Sequence, residues 1–440
     1  MQRPGLFALP EHPADIPGSR CPGRHLGRRD DGQARQAAEQ RAVEARVGQG
    51  EDRRAEVTGR LVEELEEAGA VPPQWREAFR AVPRHLFIPE VIWVEGEEGW
   101  RPLSRADDPD GWWREVDSDG YVVTQVDDGR EPVPGALGEC STSSASQPSL
   151  VLRMLHELGA EPGMRVLEIG TGTGYNAALL AARLGTGGVT SVEVDPQVAQ
   201  RARRALAEAG CPVDVITADG FEGHPPGAPY DRIIATASVR RIPPAWLRQT
   251  RPGGVIVTPF GNAYHNDALL RLAVGADGTA SGPFTGPAAF MWMRQDRVHL
   301  GRLCDHVHPG DAPDVSATGL DPREMFGRPG PDFAISVQVP DVSWHRFDAS
   351  DGSGEFTIWL FDVTGERSWA SVDFEGRAAH RVEQYGPRRL WDEVEAAYRH
   401  WLAHGRPDMT RYGLTVAPDG RQHIWLDSPD HRVAPVPGCE

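Results

Sequence analysis

Lysine is absent from this 440-residue chain; its 46 Lys-plus-Arg residues are all arginine, so neither a Schiff-base lysine nor a P-loop lysine can operate. Cysteine is scarce. The five (Cys21, Cys140, Cys211, Cys304, Cys439) lie far apart with no CxxC pair, which excludes a disulfide framework and a zinc-finger spacing. No apolar run nears the roughly 20 residues of a membrane helix, and the N-terminus has Pro, Arg and Asp where a signal peptide needs apolar residues. Positive charge is outweighed, giving a net charge of −18, which argues against nucleic acid or an anionic membrane as the main partner. The expectation is a soluble, cytoplasmic, acidic protein of two or three domains.

Residues 1–55 are rich in Pro, Gly, Arg, Gln and Glu and poor in aromatics, which predicts a largely disordered arm with at most a frayed helix over Gln33–Val47. Leu61, Val62, Leu65 and Ala68 recur at helical spacing up to Gly69, and a second helix is expected over Pro73–Val82. An acidic insert, 91–137, carries Trp93, Trp100, Trp112 and Trp113 and a strand at Val122–Val126; it reads as structural or as a lid. Cys140 to Pro148 reads as a loop of small hydroxyl residues before a helix at Ser149–Leu158, where a hydroxyl can also serve simply as an N-cap.

Strands then alternate with helices. Met164–Ile169, Val189–Val194, Val213–Thr217, Tyr230–Ala237 and Val255–Pro259 read as strands, closed by Ala268–Val274 and Ala289–Met293. This predicts an α/β fold: an open, mostly parallel Rossmann-like sheet with helices on both faces, over residues 56–297. Residues 298–440 read as a separate α+β domain with strands at Phe333–Val339, Phe356–Val363, Ser368–Val372, Arg411–Ala417 and Gln422–Leu426, and a helix at Arg388–His404.

The chemistry centres on Glu168-x-Gly170-Thr171-Gly172-x-Gly174, which follows the first strand. Glycines at such a turn let the backbone bend sharply and approach a ligand. A dinucleotide fingerprint more often keeps a three-residue step to its last glycine, so that pyrophosphate meets the helix N-terminus. Glu193 ends the next strand and Asp219-Gly220 ends the third. Three acids at neighbouring strand ends suit a ligand with a ribose diol, an amine-bearing adenine and positive charge: S-adenosylmethionine. No partner spacing surrounds His265 or His299, and no metal site is expected.

Further blocks carry a family resemblance. Val82 to Pro89, Ser146-Gln147-Pro148 with Val151 and Met154, Leu167 to Tyr175, Asp219-Gly220, Asp231 to Ile234 and Pro252-Gly253-Gly254 together resemble the protein-L-isoaspartate O-methyltransferase family over roughly residues 57–295. The resemblance implies that Ser146 is the catalytic serine and that a carboxylate is methylated. Ser143 and Ser144 become candidates for substrate contacts.

The insert and the segment after 298 look like those of enlarged relatives that methylate an aspartate of a ribosomally made, modified peptide, giving aspartimide or isoaspartate. That is the leading expectation, with 298–440 recognising the peptide. Isoaspartyl repair of aged proteins is the alternative, and a nucleotide-dependent oxidoreductase the alternative of another class.

Overall fold

The computed structural model describes residues 59–130, 137–298 and 302–436. The expected N-terminal arm lies outside them. Among the described residues no helix is long and apolar enough to cross a membrane.

The first layer holds helix α1 (59–67), α2 (Arg76–Ala81), strands β1 (Val91–Gly96) and β2 (Gly99–Ser104), α3 (Pro109–Val116), β3 (Val122–Val126) and β4 (Ser141–Ala145). The four strands form an antiparallel sheet in the order β2-β1-β3-β4. The insert is therefore a small sheet, and the residues expected as a hydroxyl-rich loop are its edge strand. Small hydroxyl residues carry little strand signal by themselves. Pairing with Val122–Val126 is what extends them.

The central layer runs α4 (Pro148–Leu158), β5 (Val166–Ile169), α5 (Tyr175–Leu184), β6 (Val189–Glu193), α6 (Pro196–Glu208), β7 (Asp214–Thr217), β8 (Tyr230–Ala235), α7 (Pro244–Gln249), β9 (Thr250–Phe260), β10 (Ala268–Val274) and β11 (Ala280–Gly286). Pro148 takes the first helical position of α4 and Gly159 closes it with φ +58°. Asp195 caps α6 by accepting from the Gln197 and Val198 amides. Every residue of β5 is buried, as expected for a strand covered on both faces.

The last stretch holds α8 (Leu303–His306), β12 (Asp314–Thr318), α9 (Pro322–Met325), α10 (Pro329–Ser336), β13 (Val342–Asp348), β14 (Phe356–Asp362), β15 (Trp369–Phe374), β16 (His380–Tyr385), α11 (Leu390–Ala403), β17 (Tyr412–Val416) and β18 (Gln422–Leu426). Strands β12 to β16 form an antiparallel sheet, order β12-β16-β15-β14-β13.

The main sheet has nine strands in the order β18-β17-β11-β10-β9-β8-β5-β6-β7. Neighbours from β9 to β7 are parallel and the rest antiparallel. From β5 the chain steps outward to β6 and β7, then returns to β8 on the other side. That reversal sets a ligand crevice at the carboxyl ends of β5, β6 and β8.

Three expectations are corrected here. Phe333–Val339 alternates like a strand, yet Phe333 to Ser336 ends α10; that helix is buried from Pro331 onward, so no polar stripe marks its period. Ala289–Met293 is not a strand of the sheet: among the described residues only Trp292 of this segment makes a bridge, to Ser238, and the hairpin partner of β10 is β11. The boundary expected at residue 298 does not divide the core. Strands β17 and β18 extend the main sheet at β11. One apolar cluster joins Leu167, Trp246 and Phe284 to Phe333, Trp391 and Tyr412.

Candidate active site

The glycine turn between β5 and α5 is possible only because of its backbone conformations. Gly170 has φ +92° and Gly172 φ +54°, and a Cβ on Gly170 would stand 2.9 Å from the Thr236 hydroxyl oxygen. Thr236, at the end of β8, donates to the Gly170 carbonyl at 2.5 Å and so ties the turn to the neighbouring strand end.

The three acids have different tasks. Glu168 is fully buried, with its carboxylate accepting from Asn176 Nδ2 at 2.6 Å and from the Ser191 hydroxyl. Burial raises its pKa to about 7, against the lowering effect of those two donors. It lies behind the cavity wall and links β5, β6 and α5. Glu193 does line the cavity. Its carboxylate accepts from the Gly172 amide at 2.9 Å and the Asp195 amide at 3.1 Å, and burial raises its pKa. Asp219 lines it too, accepting from the Phe221 amide at 2.9 Å and from Gln295 Nε2 at 2.5 Å. Gly170, Thr171, Gly172 and Gly220 complete this wall. Gly174 does not reach it: a Cβ there would meet Leu206 of α6 at 3.2 Å, so its task is helix packing.

Ser143, Ser144 and Ser146 line the same cavity from β4 and the turn into α4. What holds that turn is a residue sequence reasoning left without a role. Arg84 is 4% exposed and donates to five carbonyls: Val116 at 2.9 Å, Ser118 at 3.0 Å, Gly120 at 2.7 Å, Ala145 at 3.3 Å and Ser146 at 3.2 Å. Burial lowers its pKa to about 10, leaving it charged at neutral pH. A guanidinium has five N–H donors in a planar fork, and here they gather the insert and the serine turn together.

Ser146 stands where two cavities meet. The second is a groove of about 1150 Å³ between α4, the 287–292 segment and the insert sheet, and it shares Ser144, Ser146, Met291, Trp292 and Arg297 with the first. Arg153 and His156 line it from the exposed face of α4. Residues 291–297 form a rim over the first cavity that the linear pattern did not reveal. Arg294 pairs with Asp195 at 2.6 Å and Arg297 with Asp128 at 2.9 Å, so both arginines on the wall already have carboxylate partners. Burial opposes ionisation of Asp195, but Arg294, the Val198 amide, Gln125 and the Gln197 amide outweigh it and hold its pKa at about 2.

These residues fit S-adenosylmethionine better than a dinucleotide. The Gly172 amide, which a pyrophosphate would need, is committed to Glu193, and the carboxylates on the wall would repel phosphate while accepting from hydroxyls, an amine or an ammonium.

A family model described as protein-L-isoaspartate(D-aspartate) O-methyltransferase matches residues 124–291. A Pyrococcus horikoshii protein named protein-L-isoaspartate O-methyltransferase is 33% identical over 234 residues, covering 53% of this chain and 90% of the relative. One of the same name from Anaeromyxobacter dehalogenans is 42% identical over 162 residues, 36% of this chain and 75% of the relative. A solved structure of that name aligns with 84% of this chain and 100% of its own, at 23% identity and a TM-score of 0.49.

Proposed function

Because the chain belongs to the protein-L-isoaspartate O-methyltransferase family, we propose that it methylates an isoaspartyl carboxylate of a peptide or protein. It is a protein carboxyl O-methyltransferase, and its methyl donor is S-adenosylmethionine. The observation that carries the acceptor reading is the position of Ser146, on the shared wall of a narrow acid-lined cavity and a wide groove.

When bound, the donor supplies an electrophilic methyl group on a sulfonium. Glu193 and Asp219 would hold its ribose and adenine, and the glycine turn gives it a close backbone surface. The acceptor carboxylate is already ionised at neutral pH, so no general base is required. Ser146 donates a hydrogen bond that orients the carboxylate, and the backbone around it is fixed by Arg84. Positioning of this kind can contribute about 7–11 kcal/mol.

A second reading, methylation of an ordinary aspartate in a constrained, ribosomally made peptide, is favoured by the width of the groove and by the added layers. The isoaspartyl names of the relatives favour the first. The purified chain with methyl-labelled donor, given an isoaspartyl hexapeptide, its aspartyl twin and a macrocyclic aspartyl peptide, separates the two. Label on the isoaspartyl peptide is expected; label on the macrocycle alone would establish the second reading. Binding of NADH without S-adenosylhomocysteine would overturn both.

A further inference from the structure

We propose that the exposed face of the insert sheet is a docking surface for the part of the peptide substrate that flanks the acceptor, and that it favours an aromatic or apolar side chain followed by an arginine or lysine. The inference rests on the carboxyl methyltransferase reading.

Directly paired residues of antiparallel strands share a face. The pairs Trp93 with Pro102, Glu95 with Trp100, Trp93 with Val123 and Val123 with Ser144 therefore put an aromatic surface on the side of the sheet that bears Ser144. The opposite face is already used, with Ile92, Val122 and Ala145 packed on Trp112 and Val116 of α3. Tyr121, at the start of β3, is 58% exposed and Val91 43%.

This face continues the acceptor groove. Trp100, Tyr121 and Val123 line both that groove and a further cavity between β1 and β3, where Trp93, Glu95 and Glu115 join them. Trp100 of β2 exchanges backbone hydrogen bonds with Gly138, three residues before β4, so the ends of the sheet curl toward each other and Trp100 lines the same groove as Ser144, within reach of a short extended peptide. Charge selects the far end of that segment. Glu95 lies on the face, and Glu97 and Glu98 are exposed at the hairpin tip, with Arg101 the one basic residue among the described residues of the cavity wall. Indole faces beside carboxylates suit an arginine or lysine side chain, through cation–π attraction and ion pairing.

The test uses the full chain with three peptides: a minimal isoaspartyl tetrapeptide, the same peptide extended on either side by six residues that include Trp and Arg, and a Gly/Asp extension of equal length. The wild type should show a KM about tenfold lower for the Trp/Arg extension on one side than for the minimal peptide. Trp93→Ser and Glu95→Arg should each erase that advantage and leave kcat and KM for the minimal peptide unchanged. Equal KM values for all three peptides in the wild type, or an advantage kept by both variants, would overturn the proposal. A fluorescent Trp/Arg peptide with Asn at the acceptor position tests the face without turnover, and should bind the wild type about tenfold more tightly than either variant. If that peptide binds as expected while no isoaspartyl peptide is methylated, the acceptor reading fails and the docking surface stands.

Discussion

Replacing Glu168 by glutamine should make the protein more stable at pH 8 and change little at pH 5. The carboxyl group is fully buried, and its pKa is raised from an ordinary 4.5 to about 7 because burial disfavours the charged form. A group whose pKa is higher in the folded state contributes its stability in full below the unfolded pKa and loses it as pH rises through the folded value. For these two values, linkage gives a loss of about 2–3 kcal/mol between pH 5 and pH 8. Glutamine keeps the shape and stays neutral. Its oxygen can accept from Asn176, and its amide can donate to the Ser191 oxygen, whose own hydrogen can turn to Thr171 Oγ1 at 2.6 Å. The assay is urea unfolding of both proteins, followed by tryptophan fluorescence at the two pH values. Asp332 and Asp117 also have raised pKa values, about 7 and about 6, but both proteins carry them, so they cancel in the double difference. A difference between wild type and Glu168→Gln that is the same at pH 5 and pH 8 would refute the reasoning.

Ser146→Ala should lower kcat by about 10- to 100-fold, the value of one hydrogen bond to a charged group, while the affinity for S-adenosylhomocysteine measured by calorimetry stays within about twofold. Arg84→Lys keeps the charge but has three donors for five buried or part-buried carbonyls, so at least two of them lose a charged donor; thermal unfolding should report a loss of about 2–5 kcal/mol. Asp332 is 5% exposed, its Oδ1 has no hydrogen-bond partner among the described residues, and burial raises its pKa to about 7. The ionised form is the costly one, so Asp332→Asn should do little at pH 3 and stabilise the protein increasingly as pH rises from about 4 to 7, as read from urea midpoints at each pH.

The strands beneath the cofactor crevice were legible because strands buried on both faces read as short apolar runs, and the glycine turn marks where the first of them ends. The outer parts were harder. In β11 the sequence Ala280-Ser281-Gly282-Pro283 has weak strand propensity, and it pairs because β10 and β17 flank it. The more apolar run at Ala289–Met293 looked like the better strand and instead forms the rim of both cavities. Within the site, Glu193, Asp219 and Ser146 could be named from motifs, but the separate task of Glu168 could not, since the partners that enclose it, Asn176 and Ser191, become neighbours only when β5, α5 and β6 assemble. Arg84 was visible only as part of a segment. Its five carbonyl partners are spread from Val116 to Ser146, and no local pattern announces them.

The pairing of β11 with β17 sets a timetable for synthesis. Ala280–Gly286 leaves the ribosome with one edge unpaired, and its partner Tyr412–Val416 follows roughly 125 residues later. At ordinary elongation rates of about 5–20 residues per second, that edge waits about 6–25 seconds. An unpaired strand edge is a template for association with other chains. During that interval the strand of the glycine turn has its neighbours, while the sheet keeps an open edge at β11, with β10, β9 and β8 between that edge and the turn.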